Sequence, residues 1–305
     1  MASLLPKTGT LDTRLAKHLL RRTSYNVNRN RIDQFESLTA TEAVAELMTP
    51  ITPSLPEPID PETGEHWINS GSPPGSSFSN QRNHVKSWWM DEARQDTSIG
   101  HRMMFFLHQN FATNSDVYNS YGFFDYLALL RHYALGSYKT LALKMITDNL
   151  MLKYLNGDLN NVENPNENFA REFLELFTIG KGPLAGPGDY TNYTEQDVAA
   201  IARALTGWFA WTGFPYESAY WFWNHDTTDK QLSHRFDNQV IQNAGDQEYK
   251  NVIDIIFSKD EVSRHICRRL YIWFVYYDIT PEVEANVIEP MAQILRDNNY
   301  VIQPA

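Results

Sequence analysis

A single cysteine in 305 residues rules out a disulfide within the chain. Cys267 sits in the apolar run 266–277. There it reads as a small buried side chain rather than a nucleophile, since no His-Asn or His-Asp pattern points at it. Long apolar runs are also missing. The longest, residues 270–277, is far too short to cross a bilayer. Met1-Ala2-Ser3-Leu4-Leu5-Pro6 lacks the apolar centre of a signal peptide. As written, the sequence predicts a cytoplasmic protein with no membrane span. Positive charge is scarce, 26 Lys and Arg against 37 Asp and Glu, for a net charge of −11. Duplex binding needs a dense basic footprint. The basic clusters here, Arg21-Arg22 and Arg264 with Arg268-Arg269, are short, and solvated helix faces account for both. Nucleic acid is not an expected partner. The chain also lacks a nucleophile elbow, a phosphate loop, a dinucleotide fingerprint and a zinc-protease helix, and it shows no internal repeat.

What is present is ordinary globular material with strong helical punctuation. Hydrophobic residues make up 42% and charged residues 21%, enough apolar surface in a chain of this length for a sizeable core. Leu15, Leu19 and Leu20 line a first helix starting near Thr13, and Ile32, Phe35 and Leu38 suggest a second. Thr39 with Glu42 forms a capping box, with Val44, Leu47 and Met48 behind it. Residues 50–80 are rich in Pro, Gly and Ser and predict a long flexible loop. Helical patterns resume at 81–95, 98–111, 117–135 and 137–147. Asn164-Pro165 reads as cap and first turn of a helix over 166–178, whose apolar face is Phe169, Phe173, Leu176 and Phe177, and Gly180 stops it. Thr194 with Asp197 opens the next helix. Three more are expected near 246–258, 260–277 and 281–298.

Residues 208–242 break this pattern. Trp208, Phe209, Trp211, Phe214, Tyr216, Tyr220, Trp221, Phe222 and Trp223 surround Gly213-Phe214-Pro215, which suits short strands better than a helix. A second strand pair is expected at 231–236 and 239–242 around Asp237-Asn238. The predicted fold is mainly α: one domain over 1–305, a multi-helix globular bundle with a small aromatic β-ribbon inserted at 208–242.

Three phrases are distinctive together. They are Asn164-Pro165-Asn166-Glu167-Asn168-Phe169-Ala170-Arg171-Glu172-Phe173-Leu174-Glu175-Leu176-Phe177-Thr178, then Tyr193-Thr194-Glu195-Gln196-Asp197-Val198, then Ala202-Arg203-Ala204-Leu205-Thr206-Gly207-Trp208. With Leu19-Leu20-Arg21-Arg22-Thr23-Ser24, Phe106-Leu107-His108-Gln109-Asn110-Phe111-Ala112-Thr113, His225-Asp226 with Lys230, and the helix carrying Arg264 to Phe274, the chain resembles the bacterial family called domain of unknown function 1800. The likeness covers roughly residues 13–302. It implies no known activity. Similar proteins are longer, many are exported, and many are encoded beside a sulfatase-like protein, a candidate partner. The resemblance therefore implies that this chain is truncated at its C-terminus. Where the family usually has a second histidine, this sequence has Asn110, an amide in place of an imidazole ligand.

The residues offer two readings of function. In the first, a hydrolase-like polar pocket combines Glu172 as general base or metal ligand with Asn168 and Arg171 as oxyanion or phosphate donors, and His225 beside them. His108, His225 and Asp226 are candidate ligands for a divalent metal ion, because imidazole and carboxylate recur as metal donors. Lys230 could neutralise a phosphate or pair with Asp226 or Asp229. Ordinary helix pairing of Arg171 with Glu175, and a satisfied core histidine at 108, explain the same residues without a site. In the second reading the protein is non-catalytic, and Trp211, Trp221 and Trp223 dock a glycan, another small molecule or a protein partner.

Overall fold

The computed structural model describes residues 4–48, 55–60, 64–66, 68, 78–211 and 217–305. It is mainly helical, with three two-stranded antiparallel pairs. Helices α1 (Thr13–Thr23), α2 (Arg29–Glu36) and α3 (Ala40–Met48) come first. Leu11, Ala16, Leu20, Phe35, Ala43 and Leu47 form a small core beneath them. The Thr39–Glu42 capping box is present, with Thr39 N donating to Glu42 at 2.8 Å and Glu42 N to Thr39 Oγ1 at 3.3 Å. Ala43 and Leu47 supply the buried face, while Val44 is 42% exposed. The loop expected at 50–80 falls largely outside the described residues.

Helices α4 (Phe78–Gln95), α5 (Gly100–Asn110), α6 (Ser120–His132), α7 (Tyr138–Ile146) and α8 (Asn149–Tyr154) build the main core with the segments that follow. Ile99 packs against both cores. Beside it Asp96 accepts from Ser98 N, from His101 Nδ1 at 2.6 Å and from Arg131 Nη1 at 3.0 Å. Gly100 makes room for this knot, because a Cβ there would lie 1.7 Å from Arg131 Nη1.

Helix α9 (Glu167–Glu172) runs on as a π-helical turn, Phe173–Thr178. Its cap is Asn166, not Asn164: Asn160 Oδ1 holds Asn166 N at 2.8 Å, and Asn166 then accepts from Asn168 N. The wider π turn carries Leu176 round to the surface, 42% exposed, while Phe173 and Phe177 stay buried. Gly180, at φ 72°, ends the segment as expected. A hairpin that the sequence did not suggest, β1 (Leu184–Gly186) with β2 (Asp189–Tyr190), turns at Gly186-Pro187-Gly188. Helix α10 (Glu195–Ala204) opens with the full Thr194–Asp197 capping box.

The aromatic region forms the two short strand pairs expected of it. Strand β3 (Trp208–Ala210) pairs with β4 (Ser218–Tyr220), and β5 (Lys230–Gln231) with β6 (Val240–Ile241). Residues 234–236 are a 3-10 turn instead of strand, because Ser233 caps Arg235 N and is itself anchored by Asp197. Helices α11 (Glu248–Phe257) and α12 (Asp260–Phe274) follow. Then α13 (Pro281–Val283) passes through a π turn, Glu284–Ile288, into α14 (Glu289–Asp297). Among the described residues no helix is long and apolar enough to cross a membrane.

Candidate functional site

The structure draws His225, Asp226 and Lys230 together where β3, α10 and α11 meet. His225 Nδ1 lies 3.0 Å from Thr206 O, and Nε2 lies 2.9 Å from Glu248 Oε2. Lys230, fully enclosed, is ion-paired with the equally enclosed Glu248 and donates to Asp226 O at 2.5 Å. Asp226 accepts from Arg203 Nε at 2.6 Å and from Thr228. These contacts hold its carboxyl down at about 2 against the opposing effect of burial. Both imidazole nitrogens are thus engaged, and the Lys230 ammonium faces protein oxygens rather than a cleft. Glu248, the centre of this knot, carried no signal in the sequence.

On α9, Arg171 forms a two-pronged pair with Glu195, both contacts at 2.7 Å, and reaches Glu167 at 3.0 Å. Glu175 instead takes Lys181 at 2.8 Å and the Tyr193 hydroxyl. Asn168 Nδ2 donates to Leu155 O at 3.1 Å. Glu172 has no hydrogen bond or ion pair among the described residues, and burial followed by the Glu175 charge raises its carboxyl. His108 Nδ1 donates to the Tyr126 hydroxyl at 2.9 Å, which itself donates to Phe111 O. Burial lowers the His108 imidazole. Among the described residues no hydrogen bond or ion pair joins these three sets to one another. Nor do any three His, Cys, Asp or Glu side chains form a group that could hold a metal ion.

The aromatic residues of the inserted region are partly presented to solvent. Trp221 stacks between Phe209 (centroids 4.1 Å apart) and Trp223 (5.7 Å). Phe222, Trp223 and Trp211 are 70%, 61% and 49% exposed.

A different cluster is distinguished by its electrostatics. Arg21, Arg22, Arg102 and Arg269 line one cavity of about 490 Å³, with Gln109, Asn110, Phe106, Ile272 and Trp273. Neither an Asp nor a Glu lines it, and none of the four arginines makes an ion pair among the described residues. By contrast Arg264 and Arg268, grouped with Arg269 in the sequence, are paired with Glu289, Glu284 and Glu261. The two basic clusters are therefore not simply solvated helix faces: Arg21, Arg22 and Arg269 converge.

Part of this convergence has a structural cause, because three helices end here. Arg102 Nη2 caps α1 at Arg21 O (2.9 Å), and its guanidinium lies 4.1 Å from the Tyr25 ring centroid. Arg22 caps α12 at Phe274 O (2.8 Å) and Val275 O (3.2 Å). Arg269 touches Gln109 O at the end of α5, at 3.5 Å. A helix C-terminus carries roughly half a negative charge, so three of them offset roughly 1.5 of the four positive charges. Between two and three positive charges remain uncompensated, roughly, in a molecule whose net charge is −11. All of the lining but Arg102 comes from three of the family-like phrases: Leu19–Ser24, the stretch 106–113 and the helix carrying Arg264 to Phe274.

The class of molecule is thus a mainly helical protein with a cationic cleft where three helices end. The family model described as "Protein of unknown function (DUF1800)" matches residues 18–305, and the chain belongs to that family. No curated protein and no solved structure matches it.

Proposed function

We propose that this chain is a ligand-binding protein that holds an anionic small molecule in the arginine cleft. One observation carries the reading: four guanidiniums surround a single cavity, with no carboxylate among its described lining residues. Structural need accounts for Arg22 and Arg102, which cap helices, but Arg21 has no such contact and Arg269 has one long one. Arg22, Arg102 and Arg269 are half-buried and Arg21 is exposed at the mouth, and an external anion would answer all four guanidiniums at once. The exposed faces of Trp211 and Trp223 support the same class of function, as a separate platform for a sugar or a protein surface. Titration calorimetry with inorganic phosphate at low salt is the test. Saturable binding is expected, weakened as ionic strength rises and reduced at least tenfold, on the order of 1.4 kcal/mol, in the Arg21→Gln/Arg269→Gln double variant. Absence of binding, or binding that the double variant leaves intact, would overturn the reading.

A hydrolytic reading is favoured by Glu172 alone, whose raised, unengaged carboxyl suits a general acid or base. Hydrolysis of an ester, phosphoester or glycoside panel that Glu172→Gln abolishes in a folded protein would establish it. Elemental analysis of the parent and of His225→Ala tests its metal-assisted form.

A further inference from the structure

We infer that the outer aromatic face of the β3–β4 hairpin is an interface with a second copy of this chain, and that the protein is a two-fold symmetric dimer. The inference is independent of the arginine cleft. The register of the hairpin sorts its side chains. Trp208 stands opposite Tyr220 and packs with it and with Tyr249, against the main core. Phe209, Trp211 and Trp221 alternate with these and share the other face. There Phe209, Trp221 and Trp223 stack in a ladder, with successive ring planes 33° and 26° apart, and Phe222 meets Trp223 edge-on. Mutual packing holds these rings in place before any partner arrives, so little side-chain freedom is left to lose on association.

Phe222, Trp223 and Trp211 are 70%, 61% and 49% exposed. At roughly 150–250 Å² per aromatic side chain, they leave about 350 Å² of ring surface bare. Leu159 and Val162, 61% and 40% exposed, extend the patch: β3 packs on Gly157–Leu159, and Val162 N donates to Asn224 O at 2.9 Å. A standard interface takes about 800 Å² from each partner, and in homodimers about two thirds of it is apolar. With its two aliphatic side chains the patch approaches that apolar share, roughly 500 Å². A membrane is a poorer fit. Lys153 and Arg203, on adjoining segments, are already paired with Asp158 and Asp226. Glu163 and Glu217 are exposed and make no ion pair among the described residues, so the rim does not attract anionic lipid. The end of the ladder fits a copy of itself. Trp223 lies on Trp221 by one face and its exposure leaves the other uncovered, so two ladders meet face to face across a two-fold axis and continue as a single stack.

Sedimentation velocity of the intact protein over a range of concentrations is the test. A dimer with a micromolar or lower dissociation constant is expected. Trp223→Ala and, on a separate segment, Leu159→Glu are each expected to weaken it by about tenfold or more, with urea midpoints close to the parent's. The concentration dependence of the parent stands on its own should either variant fail to fold. A parent that stays monomeric to about 100 μM overturns the inference. So does a dimer that both variants leave intact, which would put the interface on another face. A monomer that binds soluble oligosaccharides, and loses them in Trp223→Ala, overturns it too and assigns the ladder to a sugar. Phosphate binding in the arginine cleft is measured separately, so either reading can fail without the other.

Discussion

Lys230 and Glu248 are both fully enclosed, and each makes sense only through the other. Removing water from two charges costs several kcal/mol per ion, and the pair recovers it only while both members and their hydrogen bonds are present. His225 and Asp226 O complete the coordination of this pair. Glu248→Gln is nearly isosteric and deletes only the charge, leaving an ammonium buried without a counterion. It is expected to destabilise the fold by on the order of 3 kcal/mol, read as a lower urea midpoint at unchanged slope. A shift below about 0.5 kcal/mol would mean that water reaches the pair. Lys230 illustrates what a sequence hides at this scale. A lysine four residues past Asp226 and next to Asp229 invites pairing with those neighbours, and the partner is in fact a glutamate 18 residues on.

Among elements, the junction of α9 with α12 couples a backbone requirement to a titration. Gly180 ends the π turn at φ 72°, and a Cβ there would lie 2.5 Å from His265 Nδ1. Burial, then the charges of Arg269 and Arg268, lower His265 to about 4. The unfolded histidine keeps its ordinary 6.5, so between pH 6.5 and 4 the unfolded chain takes up a proton that the folded chain refuses. Stability from this group is therefore full above pH 6.5 and declines as pH falls to about 4. His108 acts in the same direction, whereas Asp148, pushed up to about 7 by burial, opposes both. His265→Asn is expected to flatten the acid side of the stability profile by about 1 kcal/mol or more across that window, measured by urea unfolding at half-unit pH steps. An unchanged profile would show that His265 titrates freely.

Elements also mark how far the sequence could be read. Both capping boxes and the Gly180 stop are local patterns of a few residues, and the structure carries each one. The strand expected at 231–236 is present only at its start, and it ends where a distant side chain, Asp197, holds Ser233. The π turn after Glu172 displaced Leu176 from its expected face. The candidate site was least legible. Residues 21, 102 and 269 lie far apart in the chain, and each looks like an unremarkable helix-face arginine until three helix ends meet. The usable signal was that three family-like phrases each held an arginine or polar residue that helix amphipathicity did not require.

At the scale of the whole molecule, Cys267 reports on global opening. Its side chain is fully buried in the main core, and burial pushes its thiol up to about 12. A neutral thiol reagent is expected to label the native protein more slowly than the denatured chain by on the order of a thousandfold or more. The rate should rise with sub-denaturing urea along the global unfolding slope. Labelling that ignores urea would reveal a local opening of α12 instead.

The contact of Arg22 with the carbonyl of Phe274 spans 252 positions in the chain. A ribosome adds about 5–20 residues per second, so α1 waits roughly 13–50 s between its own emergence and the synthesis of its partner. During that interval the guanidinium has no helix end to cap and the cleft has no far wall. Any capacity to capture an anion is thus acquired late, as a property of the finished chain, and a nascent fragment ending before α12 offers the cell no competing low-affinity version of the site.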